Sequence, residues 1–367
     1  MRRAALMAVA AALLILLATP ARADGIDQEQ YELYGAGEVE DAVPDEARDV
    51  LGGTGVDDAL EPEGMFSRIW EAALDRLSSL WSDAAASALK LIAVAALCSL
   101  AGAFADSGAQ RYITVAGCLA VATIAFADAS GWISAGQETL DELNSFSRTL
   151  LPCLTATAAA GGMAGSAAAK YAATSLFMDI LITLSRSLLL PMAYALLAVK
   201  TASAALGNAA LEGAGKLIKW VSGTLTTLVM TAFTLWLTLS GAVSGSADAV
   251  TSKAAKTAIS AALPVVGGII SDAASTLVAG AGLLRSAVGA LGFAVILAVC
   301  LTPFLALGLR YLMYKAAAAL ASAFADSRLA GLIADVGGVF GLVLGVTGAC
   351  AAMLFISIIS FVKAVGM

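Results

Sequence analysis

Residues 332–362 read LIADVGGVFGLVLGVTGACAAMLFISIISFV, an apolar run broken by one charge, Asp335. Coiled as an α-helix, it is long enough to cross the roughly 30 Å of hydrocarbon in a bilayer. Inside lipid every backbone N–H and C=O must find its partner within the chain, so only helices and closed barrels cross. The run exceeds strand length and lacks the alternation of a barrel strand, which selects helix. Similar runs lie at 86–105, 112–130, 149–168, 172–199, 221–244 and 287–309. Over the whole chain 60% of residues are hydrophobic and 13% charged. With a mean hydropathy of +0.87, polar surface is too scarce to cover a water-soluble domain of this length. The fold class is therefore all-α, a polytopic helical integral membrane protein of about six to eight membrane segments, with re-entrant helices among the options.

The front of the chain has the three parts of an export signal: Arg2 and Arg3, an apolar run from Ala4 to Ala18, and Ala21-Arg22-Ala23 as a small-x-small cleavage site. Residues 1–23 thus read as a signal peptide, and cleavage before Asp24 would leave the new N-terminus outside the cytoplasm. An uncleaved first helix is the alternative, although its apolar core is short for a span. Residues 24–63 hold 14 of the 28 acidic residues against one basic residue, Arg48. Low hydrophobicity with high charge opposes collapse, so this reads as a disordered extracytoplasmic segment, either a solvated linker or a docking tail. Residues 64–84 then turn amphipathic, with Phe66, Ile69, Trp70, Ala73, Leu74, Leu77 and Trp81 on one stripe and Arg68, Glu71, Asp75, Arg76 and Ser78 opposite. Such a helix lies in the membrane interface with its tryptophans at headgroup depth, or docks on the protein itself. The multi-pass membrane domain follows, from residue 85 to 367.

Basic residues orient the spans. Lys200, Lys216 and Lys219, and later Arg310, Lys315 and Arg328, belong on the cytoplasmic side. The second half threads consistently on that rule. The first half does not, because an external N-terminus followed by four full crossings would place Lys200 outside. The Ala/Gly-rich stretch Thr155 to Ala169 is the candidate for a re-entrant or buried half-helix, the alternative being a failure of the charge rule. A second irregular region spans 246–285, where Pro264 and the pair Gly267-Gly268 interrupt two short apolar stretches. That pattern suggests a broken-helix turn lining a cavity or pore, or else a hairpin on the membrane surface. Glycines four apart (Gly161 and Gly165, Gly241 and Gly245, and the run Gly337, Gly341, Gly345) mark helix-packing faces, within the chain or, in a homo-oligomer, between copies.

Chemistry is sparse. The chain contains no histidine, which removes His-assisted nucleophiles and most zinc and haem ligation. There is no G-x-S-x-G elbow, and Gly215-Lys216 lacks the upstream glycine and the Ser/Thr of a phosphate-binding loop. Cys98, Cys118, Cys153, Cys300 and Cys350 form no C-x-x-C and fall in apolar segments, as buried small hydrophobes do. The net charge of −7 sits in the acidic segment and gives no support to nucleic-acid binding. No catalytic residue, cofactor or metal site is expected. What stands out is Asp179 and Arg186 at membrane depth, seven residues apart on nearly the same helix face. They could serve an ion or proton pathway, neutralise one another, or pair with another helix.

The order of parts, with signal peptide, acidic leader, amphipathic helix and apolar segments, resembles the stage III sporulation protein AE family of endospore-forming bacteria. The more specific portion is Leu239 to Gly292, LSGAVSGSADAVTSKAAKTAISAALPVVGGIISDAASTLVAGAGLLRSAVGALG, which looks like that family's core stretch, including the turn from Pro264 to Gly268. The resemblance implies a multi-pass protein of the mother-cell membrane around the forespore. It would be a non-enzymatic subunit of the transenvelope channel or secretion-like complex needed after engulfment. Its partners would be the other stage III sporulation membrane proteins of the same operon and the forespore-side channel protein. A secondary transporter and an intramembrane enzyme remain the readings from other classes.

Overall fold

The computed structural model describes residues 28–52, 55, 62–262 and 267–362, and of these gives only the backbone for 28–30, 62–63, 107, 240–262, 267–281 and 283. The expected signal peptide, 1–23, and the turn residue Pro264 lie outside the described residues.

Three short helices, α1 (Gln28–Leu33), α2 (Ala36–Asp41) and α3 (Asp45–Leu51), precede the long ones. These are α4 (Pro62–Ala103), α5 (Ser107–Ala158), α6 (Ala164–Leu184), α7 (Leu190–Leu206), α8 (Ala209–Ala262), α9 (Gly267–Ala321) and α10 (Ser327–Val362). Wide π-type turns, Ala159–Met163 and Ser185–Leu189, join α5 to α6 and α6 to α7. Alanine and leucine, the strongest helix formers, fill these segments, and small polar or glycine signals stop them. The Asp106 carboxylate accepts the Ala109 N–H at 2.8 Å at the start of α5. Gly207, with φ 65°, closes α7 in the left-handed conformation that a side chain resists. The 52 residues of α5 extend about 78 Å, more than twice the hydrocarbon thickness, so a crossing occupies only part of each rod.

The rods alternate in direction. At one end the α4–α5, α7–α8 and α9–α10 turns meet: Ser99 Oγ donates to Phe324 O at 2.7 Å, and a Cβ on Gly207 would lie 2.8 Å from the Arg328 guanidinium. At the other end Lys170 Nζ donates to Ser360 O at 2.5 Å, and the Thr174 and Ser357 hydroxyls share a hydrogen bond of 2.6 Å. The α9–α10 hairpin is the centre, with α4, α5, α6, α7 and α8 packed around it. From Ala287 to Val299 α9 is buried almost all round. Lipid tails are as apolar as leucine, so close packing rather than transfer from water holds such a core. Rings interlock at Tyr314 and Phe340, with centroids 5.1 Å apart, and at Phe293 and Phe355, 4.5 Å apart.

Several expectations change here. The runs 112–130 and 149–168 are not separate spans, since residues 107–158 form one continuous rod. In the polar stretch between them Glu138, Asp141 and Arg148 share the exposed face with Ser134 and Ser145, while the buried Thr139 and Ser147 hydroxyls donate to the carbonyls of Ala135 and Asn144 in their own helix. Thr155 to Ala169 is the reversal of a helical hairpin, made at Gly162 with φ 86° and ψ 17°, in place of the expected re-entrant half-helix. Three passes therefore separate the start of α4 from the α7–α8 turn. An external N-terminus and a cytoplasmic Lys200 are then compatible, and the charge rule no longer conflicts with the first half. The amphipathic stretch 64–84 is continuous with the first span in α4.

Within the acidic leader, the described residues 28–52 depart from the expected disordered segment. Ala36, Val39, Ala47, Val50 and Leu51 are buried against the long helices, so its few apolar residues, brought to one side by short helices, do find a core.

Candidate functional site

Asp179 and Arg186 do not neutralise one another. Arg186, in the π turn after α6, pairs with Asp141 of α5. Asp179, on α6, faces Arg148 of α5 with 3.7 Å between Nη2 and Oδ1. Both pairs bridge the two arms of the hairpin that reverses at Gly162, one nearer the reversal and the other two helical turns further from it. Each level thus carries one acid and one base on adjacent rods.

The seam is open on its outer side. Side-chain exposure is 46% for Arg186 and 51% for Asp141, and 71% and 69% for Arg148 and Asp179. On α5 the exposed residues Ser130, Ser134, Glu138, Asp141, Ser145 and Arg148 recur every three or four positions. They form one polar stripe about 27 Å long, close to the thickness of the hydrocarbon. Asn144, Ser147, Tyr171 and Ser175 continue the polar lining in a groove of about 510 Å³ beside Arg148 and Asp179.

The charges cannot be slid out of a crossing. Between Lys170 and Lys200 the longest charge-free run is Ser187–Val199, about 20 Å of helix and short of the hydrocarbon thickness. If this rod crosses the bilayer, Asp179 or Arg186 enters it. An unpaired charge at the bilayer centre costs on the order of 3 kcal/mol or more. Pairing with α5 relieves part of that cost, and the half-exposed side still requires water or protein rather than acyl chains.

Two further arginines are buried away from the seam. Arg285 (1% exposed) lies under the reversal, its Nη1 3.6 Å from where a Cβ on Gly161 would stand. Its Nε and Nη1, and those of Arg310, have no hydrogen-bond partner among the described residues. The Arg310 guanidinium stacks 4.2 Å from the Trp132 ring centre, and the Tyr314 hydroxyl donates to Asp128 at 2.6 Å nearby. The described residues contain no group of three or more acidic or sulfur side chains arranged to hold a metal.

The other residues singled out from the sequence fall in different places. A Cβ on Gly337 would stand 3.1 Å from Tyr314 Cβ, and one on Gly341 3.0 Å from the Tyr311 ring, so these two let α10 close on α9. Gly345 has nothing within 4 Å of that position. Gly161 is in the reversal and Gly165 in the first turn of α6. Gly241 and Gly245 are on α8, and Gly267 and Gly268 open α9, all four with only their backbone described. Asp141 and Arg148 were missed, because their polar surroundings read as an interval between spans. The three- and four-residue spacing of Ser134, Glu138, Asp141, Ser145 and Arg148 is the signal that could have placed them on a helix.

A bundle of long apolar helices, closed by short turns and carrying a charged seam, defines an all-α polytopic membrane protein. The family model for stage III sporulation protein AE matches residues 59–365, and the chain belongs to that family. No curated protein and no solved structure matches it.

Proposed function

We propose that this stage III sporulation protein is a non-enzymatic membrane subunit of the transenvelope channel or secretion-like complex that joins mother cell and forespore after engulfment. The observation that carries the reading is the polar stripe and charged seam exposed on rods long enough to span the bilayer. Such a face needs water or another subunit against it, as a component of a channel assembly would provide. Family membership supplies the developmental context. In this reading the protein sits in the mother-cell membrane with its mature N-terminus outside the cytoplasm. The acidic leader faces the intermembrane space, and the partners are the other stage III membrane proteins of the operon and the forespore-side channel protein.

The test is deletion of the gene in its native host, with a tagged copy recovered in detergent. Normal vegetative growth, forespores arrested after engulfment and co-purified sporulation membrane proteins are the expected result. Normal spores together with a specific solute-uptake defect would overturn it. The seam also favours a second reading, a secondary transporter, because ionisable groups between two rods are what an ion or proton path requires. An Asp141→Asn, Asp179→Asn double variant separates the two. A transporter loses uptake driven by an ion gradient, whereas a structural subunit keeps its partners in the pull-down.

A further inference from the structure

We infer that the open face of the α5–α6 hairpin is a homodimer interface, on which a second copy of this chain docks about a two-fold axis parallel to the rods. This rests on the chain spanning a membrane and is independent of which complex it joins. Two copies in one bilayer share their orientation, so their symmetry axis runs along the membrane normal and like heights meet. At each of two heights the seam places one acid and one base on neighbouring rods: Asp141 beside Arg186, and Arg148 beside Asp179. A two-fold rotation sets α5 of one copy against α6 of the other. Asp141 then meets the partner copy's arginine at the same height as its own, and Arg148 meets the partner copy's aspartate.

Around the axis the charges alternate in sign at both levels, so these two levels are self-complementary without any change of fold. The pairing also covers the guanidinium and carboxylate surfaces that are otherwise half-exposed. Ser145, exposed between Asp141 and Arg148 on α5, and Ser134, exposed two turns before Asp141, are small enough to let the rods approach. The four arms make a bundle with a polar centre, a common place for buried functional groups.

The full-length chain carrying Ser145→Cys, treated with a short bis-maleimide in native membranes, is expected to give a species of doubled mass. The unsubstituted chain is the control for its own five cysteines. Asp141→Arg and Arg186→Glu place like charges at one level, and each is expected to lower the doubled species about tenfold or more. Co-expressing the two under different tags restores opposite charge across the axis only, and should recover a mixed dimer. That rescue separates an interface from simple misfolding. Absence of the doubled species from the Ser145→Cys chain would overturn the proposal, whether the site labels freely from water, as in an open path, or cross-links to a different protein. A doubled species unaffected by either reversal would overturn it too.

Discussion

At the scale of single residues, identical glycines have opposite physical roles. Gly162 sits at φ 86°, where a side chain is strained by roughly 1–2 kcal/mol, and it turns the chain between α5 and α6. Gly345 is in ordinary helix with open space around it, where alanine gains about 0.5–1 kcal/mol through lost unfolded-state freedom. Gly162→Ala is therefore expected to lower the thermal midpoint of the detergent-solubilised protein, and Gly345→Ala to leave it unchanged or raise it. Equal shifts of the same sign would remove Gly162 as the reversal. The same residues show what a sequence can reveal. Asp179 and Arg186 were legible because a charge inside an apolar run is conspicuous. Their partners were not, because Asp141 and Arg148 sit among other polar residues, and only the distant reversal brings the arms together. The glycine ridge was legible as a packing face, yet spacing alone could not tell that Gly337 and Gly341 meet α9 while Gly345 meets nothing.

At the scale of elements, the acidic leader shows how a few contacts order a segment whose composition predicts disorder. Arg48, its single basic residue, reaches back to the end of α2 and donates to Val43 O at 2.9 Å, Glu40 O at 3.0 Å and Asp41 O at 2.8 Å. Carbonyls left over at a helix C-terminus are the groups a guanidinium satisfies best. Arg68 Nη1 closes α3 in the same way on Leu51 O at 2.7 Å, and Arg76 pairs with Glu46 at 2.8 Å. Three arginines thus tie the leader to itself and to α4. Composition hid this because net charge counts repulsion and ignores the carbonyls that a lone cation can gather. Arg48→Ala is expected to cost about 1–2 kcal/mol locally, allowing for partial solvent exposure. Amide exchange across residues 36–51 should then quicken roughly tenfold without a matching change in α9 or α10. Unaltered exchange would mean that the apolar docking residues alone order the segment.

At the scale of the whole molecule, the fold class followed from composition, whereas the number of passes could not be read from it. Hydropathy separates 112–130 from 149–168 because it averages over a helix and cannot see that the charges Glu138, Asp141 and Arg148 between them share one exposed face. Once α5 is a single rod, three passes lead from the start of α4 to the α7–α8 turn, and three more to the end of α10. The helix ends at Phe104, Leu206 and Ala323 then share one side of the membrane, close to Lys200, Lys216 and Arg328, and the proposed orientation, with basic residues inward, makes that side the cytoplasmic one. Phe104 is 92% and Leu206 63% exposed, and Ala323 is also exposed, so a cysteine at each can be reached by reagent. With an impermeant maleimide on right-side-out vesicles, Phe104→Cys, Leu206→Cys and Ala323→Cys should remain unlabelled until the vesicles are opened, while Ser67→Cys near the start of α4 labels at once. If Leu206→Cys instead labels with Ser67→Cys, α5, α6 and α7 do not make two passes, and the charged seam would lie outside the bilayer. If all three turns label from outside together, the six-pass bundle stands and only its orientation is inverted, which would place the acidic leader in the cytoplasm.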